Sequence, residues 1–172
     1  MNETKPHKQR DIFVEGAIPA SFIAESISKH ATRTDIGAHE IFLGQVRADQ
    51  VQMSPSDPVM VSPSNPVMVS PSNQGRVEAI EFTAYRDMAN EQMTIIREEA
   101  FARWPQMTCL HVHHSQGIIK AGELCFMVFA SAPHRQQARE AVAFVTDEVK
   151  KRLPIFGKEI LSDSSHLWKH NT

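Results

Sequence analysis

The chain has 172 residues, with 18 basic and 20 acidic side chains, nine histidines and two cysteines, and a net charge of −2 at neutral pH. That length suits one domain, 1–172, and 41% apolar residues are enough for its core. The near-neutral balance argues against a nucleic-acid partner, no run reaches the ~18 apolar residues of a membrane span, and the polar start MNETKPHKQR lacks the apolar region of a secretion signal, so a cytoplasmic protein is expected.

In chain order, IPASFIAESISKH (18–30) sets Phe22, Ile23 and Ile27 at helical spacing behind Ser21 as a cap candidate. GAHEIFLGQVR (37–47) mixes apolar and β-forming residues and reads as a strand. Segment 51–74 is three copies of an eight-residue unit, VQMSPSDP, VMVSPSNP and VMVSPSNQ. Units this short cannot stack as a solenoid, and proline recurs too often for a helix or a central strand, so a flexible surface insertion is expected.

RVEAIEFTAY (76–85) alternates imperfectly, as a half-buried strand does, and a helix is predicted over about 87–103, where Met93, Ile96, Ala100 and Phe101 form a stripe before Trp104-Pro105. MTCLHVHHS (107–115) and ELCFMVFAS (123–131) read as strands on either side of a turn-like GIIKAGE. Ser131 is the cap candidate for a helix running to about Arg152, stopped by Pro154 and followed by a short tail. The order α, β, β, α, β, β, α argues for an α+β domain with mostly antiparallel strands and three main helices.

Three places gather hydrogen-bonding cations. Arg47 follows Gly44 at a strand end, where a backbone without Cβ lets a ligand approach. His134 and Arg135 stand at a helix start, whose free N–H groups and dipole attract anions; a cation there works against folding and so suggests an anion site. Lys150, Lys151 and Arg152 suit a helix C-terminus on dipole grounds alone, whereas Lys158, beyond the helix in PIFGKE, is not explained that way. His111 and His113 share one strand face and His114 the other, leaving only a partial ligand set, so no metal site is expected. Cys109 and Cys125 lie in apolar runs without CxxC spacing and read as buried free thiols. No GxGxxG, P-loop or GxSxG occurs, and no cofactor is expected.

Taken together, GAHEIFLGQVRAD, RVEAIEFTAYRDMANEQM, RWP, HHSQGIIKAGE, FASAPHRQQAREAV and KKRLPIFGKE occur in the order seen in the catalytic large subunit of molybdopterin synthase, and the chain resembles that family over roughly residues 36–169. The resemblance implies an α/β-hammerhead-type fold and a homodimer of large subunits within a heterotetramer. It also implies a small ubiquitin-like sulfur-carrier subunit, whose C-terminal Gly-Gly thiocarboxylate supplies sulfur, and cyclic pyranopterin monophosphate as the substrate converted to molybdopterin. The family's G-x-V-R arginine falls on Arg47, its His-Arg pair on His134 and Arg135, and its helical lysine on Lys150. The second family lysine often stands three residues after the proline, here Gly157; the role is assigned to the adjacent Lys158. Lys150 and Lys158 are thus the expected catalytic residues, and with Arg47, His134 and Arg135 they form the expected substrate-binding set. A sulfurtransferase is the leading reading; a homologue that grips the carrier tail without turnover is the alternative.

Overall fold

The structure, a computed structural model, describes residues 10–52, 74–162 and 166–168. Eight strands form a mixed sheet whose main path runs β2-β6-β5-β4-β7-β8, with β1 added to β5 and β3 to β4. The strands are β1 (Phe13–Glu15), β2 (Ala38–Gln45), β3 (Gln50–Gln52), β4 (Gln74–Ala84), β5 (Cys109–Lys120), β6 (Leu124–Ala132), β7 (Ile155–Leu161) and β8 (His166–Trp168). Among the described residues only the β1–β5 pair is parallel. The described residues also form three helices: α1 (Ser21–Ser28), α2 (Arg86–Arg103) and α3 (Arg135–Arg152). This is the expected α+β architecture.

Strand β5 joins the two halves of the sheet. Its first part, Cys109–His114, pairs with β6, and its last part, Gly117–Lys120, pairs with β4. The change of partner falls at Gly117, whose φ of 86° is a left-handed conformation that residues with a Cβ adopt only under strain. GIIK is therefore strand and not turn; the actual turn is Ala121–Glu123, closed by Gly122 at φ 92°. One sheet face meets α2 and α3 through Leu110, Val112, Val128, Ala141 and Val145. Beneath α1, the opposite face buries Cys109, Met127 and Phe129.

Both predicted serine caps are displaced. Ser21 is the first residue of α1 and Ala20 its N-cap; Ser131 is a fully buried β6 residue, and His134 occupies the N-cap of α3. At Ser21 the helix starts one residue early and takes the serine into its first turn, and at Ser131 the strand runs on past the serine, because backbone pairing outweighs a single capping bond. Within the supposed tail, Ile155–Leu161 and His166–Trp168 form β7 and β8, with β7 pairing along β4 from Ala84 to Val77. Residues 51, 52 and 74, inside the segment read as an insertion, lie in β3 and β4, with Gln52 opposite Gln74. The remainder, 53–73, and the flexibility expected of it fall outside the described residues. Among the described residues, no helix is long and apolar enough to cross a membrane.

Candidate functional site

Arg47 leaves the end of β2 just after a register shift at Gly44/Gln45. The chain there is held against the β5–β6 turn, since Val46 N–H donates to Glu123 O (3.0 Å) and Gly122 N–H to Val46 O (2.8 Å). The Arg47 side chain points to solvent, 77% exposed, and pairs with Asp49 at 2.8 Å. Such an exposed pair is worth little and separates readily for a stronger anion.

His134 and Arg135 are exposed at the N-terminus of α3. His134 has extended backbone (φ −127°, ψ 141°) and makes no side-chain cap bond, and the first turn contains no acidic residue. The helix's leading N–H groups are thus accompanied by cationic donors in place of the carboxylates that usually stand there. Gly37 fixes the approach to this end: a Cβ at residue 37 would lie 2.2 Å from Pro133 O.

Lys150 lies in the last turn of α3. Its neighbours are engaged, Arg152 with Glu99 (2.8 Å) and Glu148 (3.2 Å) and Lys151 with Glu148 (3.9 Å). Among the described residues Lys150 makes no ion pair. Its charge is felt by His114, a buried histidine whose ring meets Phe82 edge-on at 5.1 Å. Burial is the main cause of the lowered His114 pKa, and Lys150 pushes it further down. His114 Nδ1–H donates to Ser115 O at 2.8 Å, which leaves Nε2 as its lone-pair nitrogen.

Lys158 is placed differently. It lies opposite Glu81 in the β4–β7 register and forms an ion pair with it at 2.7 Å, with both side chains about two-thirds buried. The next pair along the register is Phe82 and Gly157. Successive strand residues face opposite sides, so position 157 shares the Phe82–His114 face, near Lys150, and Lys158 faces the other. On the Lys158 side, Thr83, Tyr85, Phe156 and Trp168 border an apolar recess of about 460 Å³. The fold therefore brings Lys150 toward His114 and separates it from Lys158, and α3 carries His134 and Lys150 at opposite ends. Sequence reading missed the Glu81 partner and the aromatic recess, whose contributors, Tyr85, Phe156 and Trp168, are scattered along the chain. A further cavity of about 920 Å³ lies between α1, α2 and β5, lined among others by Phe22, His30, Met93, Arg97 and His111.

The family model described as MoaE protein matches residues 66–152. The chain is 33% identical over 150 residues to the molybdopterin synthase catalytic subunit of Pyrococcus abyssi, covering 87% of this chain and 85% of that protein. It is 38% identical over 97 residues to molybdopterin synthase catalytic subunit 1 of Aedes aegypti, a match spanning 55% of this chain and 63% of the mosquito protein. In fold it is similar to the crystal structure of molybdopterin synthase from Staphylococcus aureus, with a TM-score of 0.69 at 23% identity over 95% of this chain and 99% of that one. It is also similar to a chain in the complex of subunits 1 and 2 of the molybdopterin-converting factor from Helicobacter pylori, with a TM-score of 0.65 at 16% identity over 89% and 86% of the two chains. The match to the MoaE protein model and the identity shared with the Pyrococcus subunit along most of both chains establish that this chain belongs to the molybdopterin synthase catalytic-subunit family, the sulfurtransferases of molybdenum-cofactor biosynthesis.

Proposed function

We propose that the chain works as the catalytic subunit of a molybdopterin synthase in the cytoplasm. It takes sulfur from the C-terminal Gly-Gly thiocarboxylate of a small ubiquitin-like carrier and adds two sulfurs to cyclic pyranopterin monophosphate, forming the dithiolene of molybdopterin. The observation that carries this reading is the set of exposed basic residues at the two ends of α3: His134 and Arg135 with no acid in the helix's first turn, and Lys150 without an ion pair among the described residues. Guanidinium and imidazolium groups suit the substrate's cyclic phosphate. A lysine beside a largely buried surface can hold the thiocarboxylate and exchange a proton as oxygen leaves and sulfur adds. No thiol of this chain is needed, because the nucleophilic sulfur arrives on the carrier.

Sixteen residues separate His134 from Lys150, about 24 Å along a continuous helix at ~1.5 Å per residue. One small substrate does not span that distance. In this reading two large subunits form a dimer within a heterotetramer, and each active site combines His134 and Arg135 of one subunit with Arg47 and Lys150 of the other, while Lys158 lies on the opposite face of the β4–β7 ladder, paired with Glu81. Lys150→Ala is expected to lower molybdopterin formation ~10²–10⁴-fold, the range of a lost proton-transfer group. Mixed with a His134→Ala/Arg135→Ala variant under proven subunit exchange, it should regain part of the activity through hybrid dimers; a mixture as inactive as its components refutes the shared site.

The Lys158–Glu81 pair favours a second reading, in which the chain binds the carrier tail without turnover because position 157 holds glycine. Incubation with thiocarboxylated carrier and cyclic pyranopterin monophosphate separates the two: molybdopterin is the product of an enzyme, and carrier binding without product marks a binder. If Lys158 serves, Lys158→Ala abolishes turnover; if the face of position 157 is the one that counts, Lys158→Ala leaves turnover unchanged and Gly157→Lys raises it.

A further inference from the structure

We propose that His30, Cys109 and His111 form a binding site for a thiophilic divalent cation of the zinc and cobalt class, which ties the end of α1 to β5. One ligand atom from each residue lies within 4.8 Å of the other two. Cys109 and His111 are two residues apart on β5 and so share a face, while His30 reaches them from the turn just after α1. The His111–His113 pattern in the sequence gave only a partial ligand set because the other two donors are a distant histidine and a thiol.

The surroundings orient the donors. His30 Nδ1 lies 2.6 Å from Ser26 O, a carbonyl that can only accept, so Nδ1 carries the proton and Nε2 keeps the lone pair. His111 Nδ1 is 3.1 Å from Ser26 Oγ, so one residue of α1 holds both rings. This is the kind of outer contact that fixes the tautomer and angle of a metal-binding imidazole. Both rings also stack on Phe129, at 6.1 and 5.5 Å, and so have little freedom to rotate. The Cys109 thiol donates to Ser131 Oγ at 3.1 Å, and Ser131 Oγ lies 2.6 Å from His39 Nδ1. Ser131 and His39 therefore provide a route for the thiol proton to leave and a hydrogen bond for the thiolate that remains.

Two imidazoles and one thiolate suit zinc or cobalt and do not suit magnesium or calcium. In a tetrahedral site with bonds of ~2.0–2.3 Å the donors stand about 3.4–3.7 Å apart, so the present arrangement, with all donors within 4.8 Å, has to contract by no more than about 1.4 Å. Helix α1 can supply that movement, because Ser26 is its only buried residue. An ion here replaces missing packing with coordinate bonds. Burial keeps His111 neutral at pH 7 and raises the Cys109 thiol. Lys29, Arg33 and Arg97 also face the cluster beside the rings of His39 and His113, and the positive charge of the lysine and the arginines favours the thiolate but repels an incoming cation. Binding is accordingly weaker than in a closed structural zinc site.

The probe is Co²⁺, titrated into the untagged, chelator-stripped full chain. A thiolate-to-cobalt charge-transfer band saturating at one equivalent is expected. Cys109→Ser should remove the band, and His30→Ala and His111→Ala should each weaken binding at least ten-fold. Cys125→Ser and His113→Ala, which alter the other thiol and the neighbouring histidine, should leave the band intact. Zn²⁺ should bleach it competitively and raise the Tm of the wild-type chain but not of His111→Ala. No band in the wild type, a band that survives Cys109→Ser, or one that disappears with Cys125→Ser overturns the proposal. If Cys109→Ser fails to fold, the comparison of His111→Ala with His113→Ala decides the matter by itself.

Discussion

At the level of single residues, the histidines of β5 tie pH to stability. Burial, followed by repulsion from His30, His113, Lys29 and Arg97, lowers the His111 pKa from 6.5 to about 4; burial also lowers those of His113 and His114. A base with a depressed folded-state pKa takes up protons more readily when unfolded. Its contribution to stability is therefore complete above about pH 6.5 and is lost as the pH falls through about 4. Asp35 and Asp11 lose theirs lower down, because hydrogen bonds from Arg33 and Arg86 hold their carboxyls below 3.8, Asp35 at about 2. Urea midpoints in metal-free buffer should thus fall in two stages, and His111→Gln should flatten the upper one. Gly37 offers a second test. Its Cβ would meet Pro133 O, so Gly37→Ala should cost about 1–3 kcal/mol in urea unfolding, as overpacking does. By moving the start of α3, it should also raise the KM for the pterin substrate.

At the level of elements, strong periodicity was legible and local signals were not. The stripe of Met93, Ile96 and Ala100 marked α2 to within a residue, because its buried positions follow the helical repeat. Ser21 and Ser131 misled as caps because a serine is equally at home in the first turn of a helix or in a buried strand. GIIKAGE misled because its glycines suggest a turn, whereas Gly117 serves to bend a strand. The cations of the candidate site could be read as residues but not as an arrangement. Which face Lys158 occupies depends on the β4–β7 register, and a shift of one position exchanges the two faces. Strands β3 and β4 form a ladder that ends at the Gln52–Gln74 pair. Replacing 53–73 with Asn-Gly, which suits a two-residue hairpin turn, should therefore preserve the circular dichroism spectrum and near-normal turnover. A large loss of activity with the fold intact would assign the repeat a part in binding substrate or carrier.

At the scale of the whole molecule, the sheet divides its work at β5. The half containing β2 and β6 supports α3 and the His134 end of the site, and the half containing β4 and β7 sets out Lys158, Glu81 and the aromatic recess. Helix α3 crosses the core as 18 uninterrupted residues with groups of the candidate site at both ends. It therefore acts as a ruler with a fixed rotational phase. Deleting one residue from its middle would shift Lys150 by ~1.5 Å and turn it by about 100° relative to His134. In a dimer whose sites each draw on both helices, that single change would misalign both sites at once.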